Sequence, residues 1–177
     1  RSLQPGALFV ALDGAHFKGH NFICEAHNAG AAAILSTQSD CAPLPGLIVE
    51  NTTEALGQLA AFWRNRFDIP VIGVTGSNGK TTVKEMIASI LAHTGAVHAS
   101  PGNFNNHIGL PLTLLGLRPE HRFAVVEMGM NSPGEIDYLS RIAQPTVALI
   151  TNAASAHLEG LGDLAGVARA KAEIFHG

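Results

Sequence analysis

The stretch VTGSNGKTT, residues 74–82, constrains the fold of this chain more than any other part of the sequence. It continues the apolar run VIGVT (71–75), and a helical pattern follows from Lys80. A strand, a short glycine turn and a helix direct free backbone N–H groups and the helix dipole at one point, which suits a phosphate group. The sequence therefore predicts a nucleotide-phosphate loop in an α/β fold.

The side chains of this loop fit a nucleoside triphosphate. Glycine at positions 76 and 79 permits positive φ and close approach to an anion. Lys80 can neutralise β- and γ-phosphate oxygens, and the Thr81 hydroxyl can bind Mg²⁺. The strict pattern GxxxxGK[ST] fails by one residue, because Val74 stands where it requires glycine. An ordinary glycine turn before a helix with a surface lysine is the alternative. The predicted nucleotide-binding residues are Gly76, Ser77, Asn78, Gly79, Lys80, Thr81 and Thr82.

Apolar runs rich in β-branched residues alternate with helical patterns along the chain, which indicates a parallel sheet with crossover helices. A content of 46% hydrophobic and 14% charged residues suits buried α/β layers. One helix is predicted over ENTTEALGQLAAFWRNRF, opened by a capping-box-like Asn51-x-x-Glu54. Asp68-Ile69-Pro70 ends it, so we place a domain boundary near residue 68. The predicted strands are LFVAL (8–12), AAAIL (31–35), GLIVE (46–50), VIGVT (71–75), FAVVEM (123–128) and VALIT (147–151).

Charge and hydropathy exclude some classes of partner. A formal net charge of −3 with scattered basic residues gives no field that would attract nucleic acid. No stretch approaches the roughly 18 consecutive apolar residues of a membrane helix, and the start lacks a signal-peptide pattern. We therefore expect a cytoplasmic protein that neither binds nucleic acid nor inserts into a membrane.

The segment TGSNGKTT resembles the ATP loop of the Mur ligase superfamily, whose members add amino acids to the peptidoglycan precursor and have folylpolyglutamate synthase as a relative. Within the superfamily, the later segments resemble the branch that attaches D-alanyl-D-alanine to UDP-MurNAc-tripeptide. The N-terminal PGALFVALDGAHFKGHNFICEAHNAGAAAIL resembles the first domain of that branch. The later segments are GNFNNHIGLPLTLL (102–115), VVEMGMNSPGEIDYL (125–139), ITNAASAHLEGLG (150–162) and AGVARAKAEIF (165–175).

The resemblance implies a domain plan and a reaction. Residues 1–68 would form the N-terminal UDP-substrate-binding domain, with its start truncated, and residues 69–177 the first part of a P-loop-type central ATPase domain with a mainly parallel sheet. The C-terminal domain would be absent. The implied enzyme is a monomer that uses ATP and Mg²⁺ to join UDP-MurNAc-tripeptide and D-alanyl-D-alanine through an acyl phosphate. We expect this chain alone to bind nucleotide without ligating.

Lys80 and three further residues are the candidates for catalysis and metal binding. Glu127 ends an apolar strand, where a buried carboxylate needs a cation or hydrogen-bond donors; a lysine or a helix terminus would serve as well as a metal. His157, one of nine histidines, would ordinarily be structural or solvated, as Lys171 would on a helix face. The resemblance implies that Glu127, His157 and Lys171 join Thr81 as Mg²⁺ ligands, Lys171 after CO₂ converts it to a carbamate. Carbamylation needs a neutral amine and hence a lowered lysine pKa.

The remaining candidates are weaker. Asn152 could orient groups near the loop or serve only as a turn former. The amide-rich GNFNNHIG (102–109) could merely form turns and caps, but the resemblance places Asn105, Asn106 and His107 near nucleotide or UDP-substrate. It also implies a substrate contact for Arg1, because the chain begins inside a motif that ends in arginine.

Two other functions stay open at this point. One is a different ligase of the superfamily, either a diaminopimelate- or lysine-adding Mur ligase or folylpolyglutamate synthase. The other is a nucleotide-binding module without ligase activity. A substrate panel and phosphate release would separate them.

Overall fold

The computed structural model of the chain describes residues 3–14, 17–38, 44–154 and 162–177. The chain divides into two compact units, Arg1–Leu56 and Gly57–Gly177. Within the described residues, no helix is both long enough and apolar enough to cross a membrane.

The first unit is built on a parallel three-stranded sheet with the order β1-β2-β3. In its register Phe9 pairs with Ile34, and Leu35 pairs with Leu47. A small core of Ala11, Ile23 and Ile34 lies between the sheet and its helix. The elements are β1 (Leu8–Val10), a 3-10 turn (Gly19–Phe22), α1 (Ile23–Asn28), β2 (Ala33–Ser36) and β3 (Gly46–Ile48).

Helix α2 (Thr52–Arg64) begins with a side-chain cap by Asn51, as the capping-box-like pattern predicted. Asn51 Oδ1 accepts hydrogen bonds from the N–H groups of Thr53 and Glu54, and Asn51 Nδ2 donates to Glu54 Oε1. The compact units divide inside this helix, after Leu56. Ala60, in its second half, belongs to the core of the second unit. The domain boundary near residue 68, where the chain has left the helix, stays a prediction.

The second unit contains a parallel four-stranded sheet with the order β5-β6-β4-β7. Its strands are β4 (Val71–Thr75), β5 (Val97–Ala99), β6 (Phe123–Glu127) and β7 (Val147–Ile150). Its helices after α2 are α3 (Lys80–Ala92), α4 (Gly109–Leu115), α5 (Glu135–Ala143) and α6 (Leu164–Ala172), the last followed by a 3-10 turn (Glu173–His176). The predicted α/β class with mainly parallel sheets is confirmed.

The two central strands explain why their sequences are continuously apolar. All five residues of β4 are buried, as are residues 124–127 of β6. On one face the sheet packs on a core that includes Leu110, Leu114 and Ile136. On the other face Ile72, Val74 and Val125 pack against side chains of α3. Because both faces are covered, the strands lack the alternation of a half-exposed sheet.

The strand register sets the position of the site. Val74 pairs with Glu127, and Thr75 pairs with Ile150. The carboxyl ends of β4, β6 and β7 therefore meet at one edge, where parallel α/β sheets commonly bind ligands. The glycine loop follows β4 at this edge.

Candidate nucleotide and metal site

The glycine loop joins Thr75 at the end of β4 to Lys80 at the start of α3. Gly79 has φ 77° and Gly76 has φ 152°, both in the range that favours glycine. A Cβ on Gly76 would collide with the Thr151 hydroxyl, whereas a Cβ on Gly79 would meet no neighbouring atom within 4 Å. Gly76 is therefore required for both space and conformation, and Gly79 for conformation alone.

The residues that follow β7 hold the glycine loop by hydrogen bonds. Asn152 accepts the N–H of Ser77 on its backbone oxygen at 3.1 Å and the N–H of Asn78 on Oδ1 at 3.0 Å. Thr151 Oγ1 donates to Asn78 O at 2.6 Å, and Ser77 Oγ donates to Ala154 O at 3.1 Å. Asn152 therefore holds the backbone of the loop, a role that differs from the two considered for it in the sequence.

The backbone donors left for a ligand lie in the first turn of α3. The first helical hydrogen bond of α3 runs from the Val83 N–H to Gly79 O. The N–H groups of Lys80, Thr81 and Thr82 precede it and have no partner within the helix. Lys80 is half-buried, and its Nζ donates to Gly76 O at 2.8 Å. Its ammonium therefore lies against the loop.

Glu127 lies at the end of β6 with only 1% of its surface exposed. Its Oε2 accepts the Thr81 hydroxyl at 2.8 Å, and its Oε1 accepts Asn105 Nδ2 at 2.7 Å. Its backbone N–H donates to Ser100 Oγ at 3.1 Å. Among the described residues no cationic side chain forms a salt bridge with this carboxylate. A buried carboxylate held only by neutral donors is well suited to receive a cation.

Lys171 is buried on α6, with 2% of its surface exposed. Burial first, and the positive charge of Lys80 second, lower the pKa of Lys171 from 10.5 to about 8. Both causes favour the neutral amine that carbamylation requires. The ordinary expectation that a lysine on this helix is solvated is wrong for Lys171, because its side chain is buried.

The residues of the amide-rich segment 102–109 have different roles. The side-chain amide of Asn105 holds Glu127. Asn106 Oδ1 accepts the N–H groups of Ile108 and Gly109 and so caps the start of α4. His107 is exposed and lines a cavity of 330 Å³ beside residues 133–135, Tyr138 and Leu139. Ligand contacts of Asn106 and His107 stay predictions, and Arg1 and His157 lie outside the described residues.

Sequence reasoning missed Lys84. This lysine has no exposed surface, and its Nζ donates to Ser100 O at 2.6 Å and to Gly102 O at 3.1 Å. It stands three residues after Thr81 on α3, so the two side chains lie on one face of the helix. That spacing was the available signal, because Thr81 was already expected to point into the site.

Models of two known protein-family domains match this chain. Residues 74–177 match the model of the Mur ligase middle domain, and residues 1–64 match that of the Mur ligase family catalytic domain. UDP-N-acetylmuramoyl-tripeptide--D-alanyl-D-alanine ligase of Escherichia coli (strain K12) is 50% identical over 177 residues. The enzyme of the same name from Bacillus subtilis (strain 168) is 47% identical over 180 residues. Each alignment covers 100% of this chain and 39% of the relative.

Solved structures give the same result. A crystal structure of MurF from Acinetobacter baumannii superposes with a TM-score of 0.93 at 44% identity, covering 97% of this chain and 38% of that one. MurF ligase from Thermotoga maritima in complex with ADP gives 0.90 at 39% identity, covering 97% of this chain and 40% of that one. The chain thus spans about two fifths of the length of these relatives. It belongs to the Mur ligase family and over nearly its whole length is similar to members named MurF.

Proposed function

We propose that the protein containing this chain is an ATP-dependent C–N ligase that joins D-alanyl-D-alanine to UDP-MurNAc-tripeptide in peptidoglycan precursor synthesis. The observation that carries the proposal is the contact between Thr81, on the helix after the glycine loop, and the buried carboxylate of Glu127. It links a phosphate-binding loop to an anionic metal ligand. Full-chain similarity to MurF ligases supports the choice of substrates.

Thr81 and Glu127 present a hydroxyl oxygen and a carboxylate oxygen at one point, and Mg²⁺ prefers oxygen ligands. Thr81 Oγ1 and Glu127 Oε2 are 2.8 Å apart. Mg²⁺ held by these two residues would supply positive charge that neutralises phosphate oxygens. Asn105 would hold the carboxylate of Glu127 by its other oxygen, Oε1.

The loop and α3 would hold the triphosphate. The first-turn N–H groups of α3 donate to phosphate oxygens, and the helix dipole adds to their effect. The Lys80 ammonium exchanges its bond to Gly76 O for the β- and γ-phosphate oxygens. These donors are fixed before the reaction, so they can stabilise the charge that moves during phosphoryl transfer.

Lys171 would act as a further metal ligand after carbamylation. Its neutral amine attacks CO₂, a nitrogen–carbon bond forms, and the nitrogen loses a proton, so the product is an anionic carbamate. Carbamylation would replace the positive charge of Lys171 with a negative one, so its electrostatic repulsion of Lys80 would become attraction. His157 would complete the set of ligands. The roles of both residues are proposals, and the lowered pKa of Lys171 supports the first.

The proposed reaction solves the problem that a carboxylate resists attack by an amine. The terminal carboxylate of UDP-MurNAc-tripeptide attacks the γ-phosphorus, ADP leaves, and an acyl phosphate forms. The amine of D-alanyl-D-alanine then attacks the acyl carbon, and phosphate leaves as the amide forms. In the first step Lys80 reduces the repulsion between the two anions and aligns them. We further propose that the enzyme is a cytoplasmic monomer.

Substrate-dependent phosphate release by the intact protein tests the proposal. Release with ATP, UDP-MurNAc-tripeptide and D-alanyl-D-alanine, but not with diaminopimelate or lysine and the corresponding shorter precursor, supports it. Release only with the single amino acids identifies another Mur-type ligase. ATP binding without release under any combination identifies a non-catalytic module. For the 177-residue chain, we expect ATP and Mg²⁺ to raise Tm without product formation.

A further inference from the structure

Lys84 is a fully buried lysine whose ammonium forms two hydrogen bonds and one ion pair. The hydrogen-bond acceptors are the backbone oxygens of Ser100 and Gly102, at 2.6 and 3.1 Å. The ion pair is with Glu85 Oε1 at 2.8 Å, on a side chain that is 62% exposed. A lysine ammonium has three donors and no acceptor capacity, so oxygen atoms are the partners that can hold it. Lys84 joins α3 to the turn that follows β5.

That turn leads directly to the groups that hold Glu127. Ser100, whose backbone oxygen accepts from Lys84, uses its Oγ to accept the Glu127 N–H at 3.1 Å. Asn105, three residues beyond Gly102, donates to Glu127 Oε1. Its backbone oxygen accepts the N–H of Gly129, two residues after Glu127, at 2.7 Å. The segment 100–105 therefore contacts Glu127 on both backbone and side chain.

We infer that Lys84 is a positioning residue: by fixing the turn at Ser100 and Gly102, it sets the segment that aims the Glu127 carboxylate at Thr81. Lys84 and Thr81 stand on one face of α3, so a single helix holds both Glu127 and the segment behind it. Lys84 has no exposed surface and cannot touch a ligand. This inference rests on the proposed role of Glu127 as a metal ligand.

Mn²⁺ binding to the intact protein tests the inference without relying on activity. Electron paramagnetic resonance measures free Mn²⁺ in the presence of a saturating, non-hydrolysable ATP analogue. We expect Lys84→Met to weaken Mn²⁺ binding about 10-fold, as loss of groups that orient metal ligands commonly does. Glu85→Gln is the matched control, since it changes the exposed partner and leaves both backbone contacts. It should leave Mn²⁺ affinity unchanged.

Glu127→Gln separates this inference from the proposed function. If Glu127→Gln and Lys84→Met both leave Mn²⁺ affinity unchanged, Glu127 is not a metal ligand and the proposed site itself is wrong. If only Glu127→Gln weakens Mn²⁺ binding, the site stands and the role of Lys84 is overturned. A fall in Tm for Lys84→Met with unchanged Mn²⁺ affinity also overturns that role, because it shows that Lys84 serves stability alone.

A milder pair of variants covers the case in which Lys84→Met does not fold. Lys84→Arg keeps the charge but cannot direct three N–H groups from one nitrogen, and Asn105→Ala removes the amide that holds Glu127. Each should weaken Mn²⁺ binding. The double variant should lose no more than the worse single variant, because both act through one carboxylate. Fully additive losses, or unchanged affinity in Lys84→Arg, overturn the inference.

Discussion

Thr81 Oγ1 lies 2.8 Å from Glu127 Oε2, and this hydrogen bond joins the first turn of α3 to the end of β6 across 46 residues of sequence. The two residues belong to neighbouring strand–helix units of a parallel sheet. Their contact brings a hydroxyl and a carboxylate together at the sheet edge where the Lys80 ammonium lies against the glycine loop. Substitutions at this edge should therefore show which residues serve metal binding and which serve the stability of the loop.

Replacing Thr81 with alanine should lower ligation by the intact protein about 100-fold or more, because a directly bound metal contributes several kcal/mol of charge stabilisation. Thr81→Ser keeps the hydroxyl and is the matched control, for which we expect a small change. Phosphate release at saturating substrates, repeated over a range of Mg²⁺ concentrations, measures the effect. Equal rates for the alanine and serine variants would contradict the role of the hydroxyl.

Gly79→Ala and Gly76→Ala should lower the free energy of unfolding by different amounts. Gly79→Ala places a side chain in open space at φ 77°, so it bears only the conformational penalty of about 1–2 kcal/mol. Gly76→Ala adds a collision with Thr151 and should destabilise the chain more than Gly79→Ala does. Urea unfolding of the two variants provides the comparison. An equal loss of stability would show that the Thr151 hydroxyl moves aside freely.

The burial of Lys171 predicts a pH dependence of stability. The pKa of this lysine is about 8 in the folded chain against an ordinary 10.5, so the unfolded chain binds more protons between these values. The free energy of unfolding should therefore rise as the pH increases through that window, and the penalty for the buried charge is complete below it. Lys171→Met removes this contribution and should flatten the curve. Urea unfolding in CO₂-free buffers at several pH values measures this dependence. If the free energy of unfolding rose equally with pH in the unaltered chain and in Lys171→Met, the lowered pKa of Lys171 would be contradicted.

Glu173 should stabilise the start of α5 although it belongs to another element. Its carboxylate accepts the Gly134 N–H at 2.9 Å and the Asp137 N–H at 3.1 Å, which are free donors at the helix start. Glu173→Ala should cost about 1 kcal/mol, as loss of a helix cap does. Thermal unfolding measures this cost. Glu120→Ala removes an exposed carboxylate and is a surface comparator that should change stability less; the reverse order would refute the capping role.

The sequence was most informative where local pattern and burial agree. The run VIGVT (71–75) predicted β4 with its observed bounds, because a strand covered on both faces is apolar throughout. The start of α3 at Lys80 was also predicted, since a glycine turn ended the strand just before it. By contrast, β5 (Val97–Ala99) was not predicted, because three residues are too few to give a periodic pattern.

The side-chain network of the site could be predicted only in part. Glu127 was named from its place at the end of a strand and Lys171 from the family resemblance, but the contacts that hold Glu127 come from segments distant in sequence. Lys84 resembled an ordinary helix lysine, and its burial depends on backbone oxygens 16 and 18 residues away. The bond from Asn78 to Asn152 spans 74 residues. Such pairings follow from strand register and cannot be obtained from local pattern.

The bonds from Thr151, Asn152 and Ala154 to the glycine loop have a consequence for affinity. Because the protein's own chain holds Ser77 and Asn78, the loop acquires its curvature when the chain folds, before any nucleotide arrives. The entropy lost in ordering these residues is then part of folding, and little of it remains to weaken association with the ligand. A loose glycine loop of the same sequence would lose that entropy at each binding event.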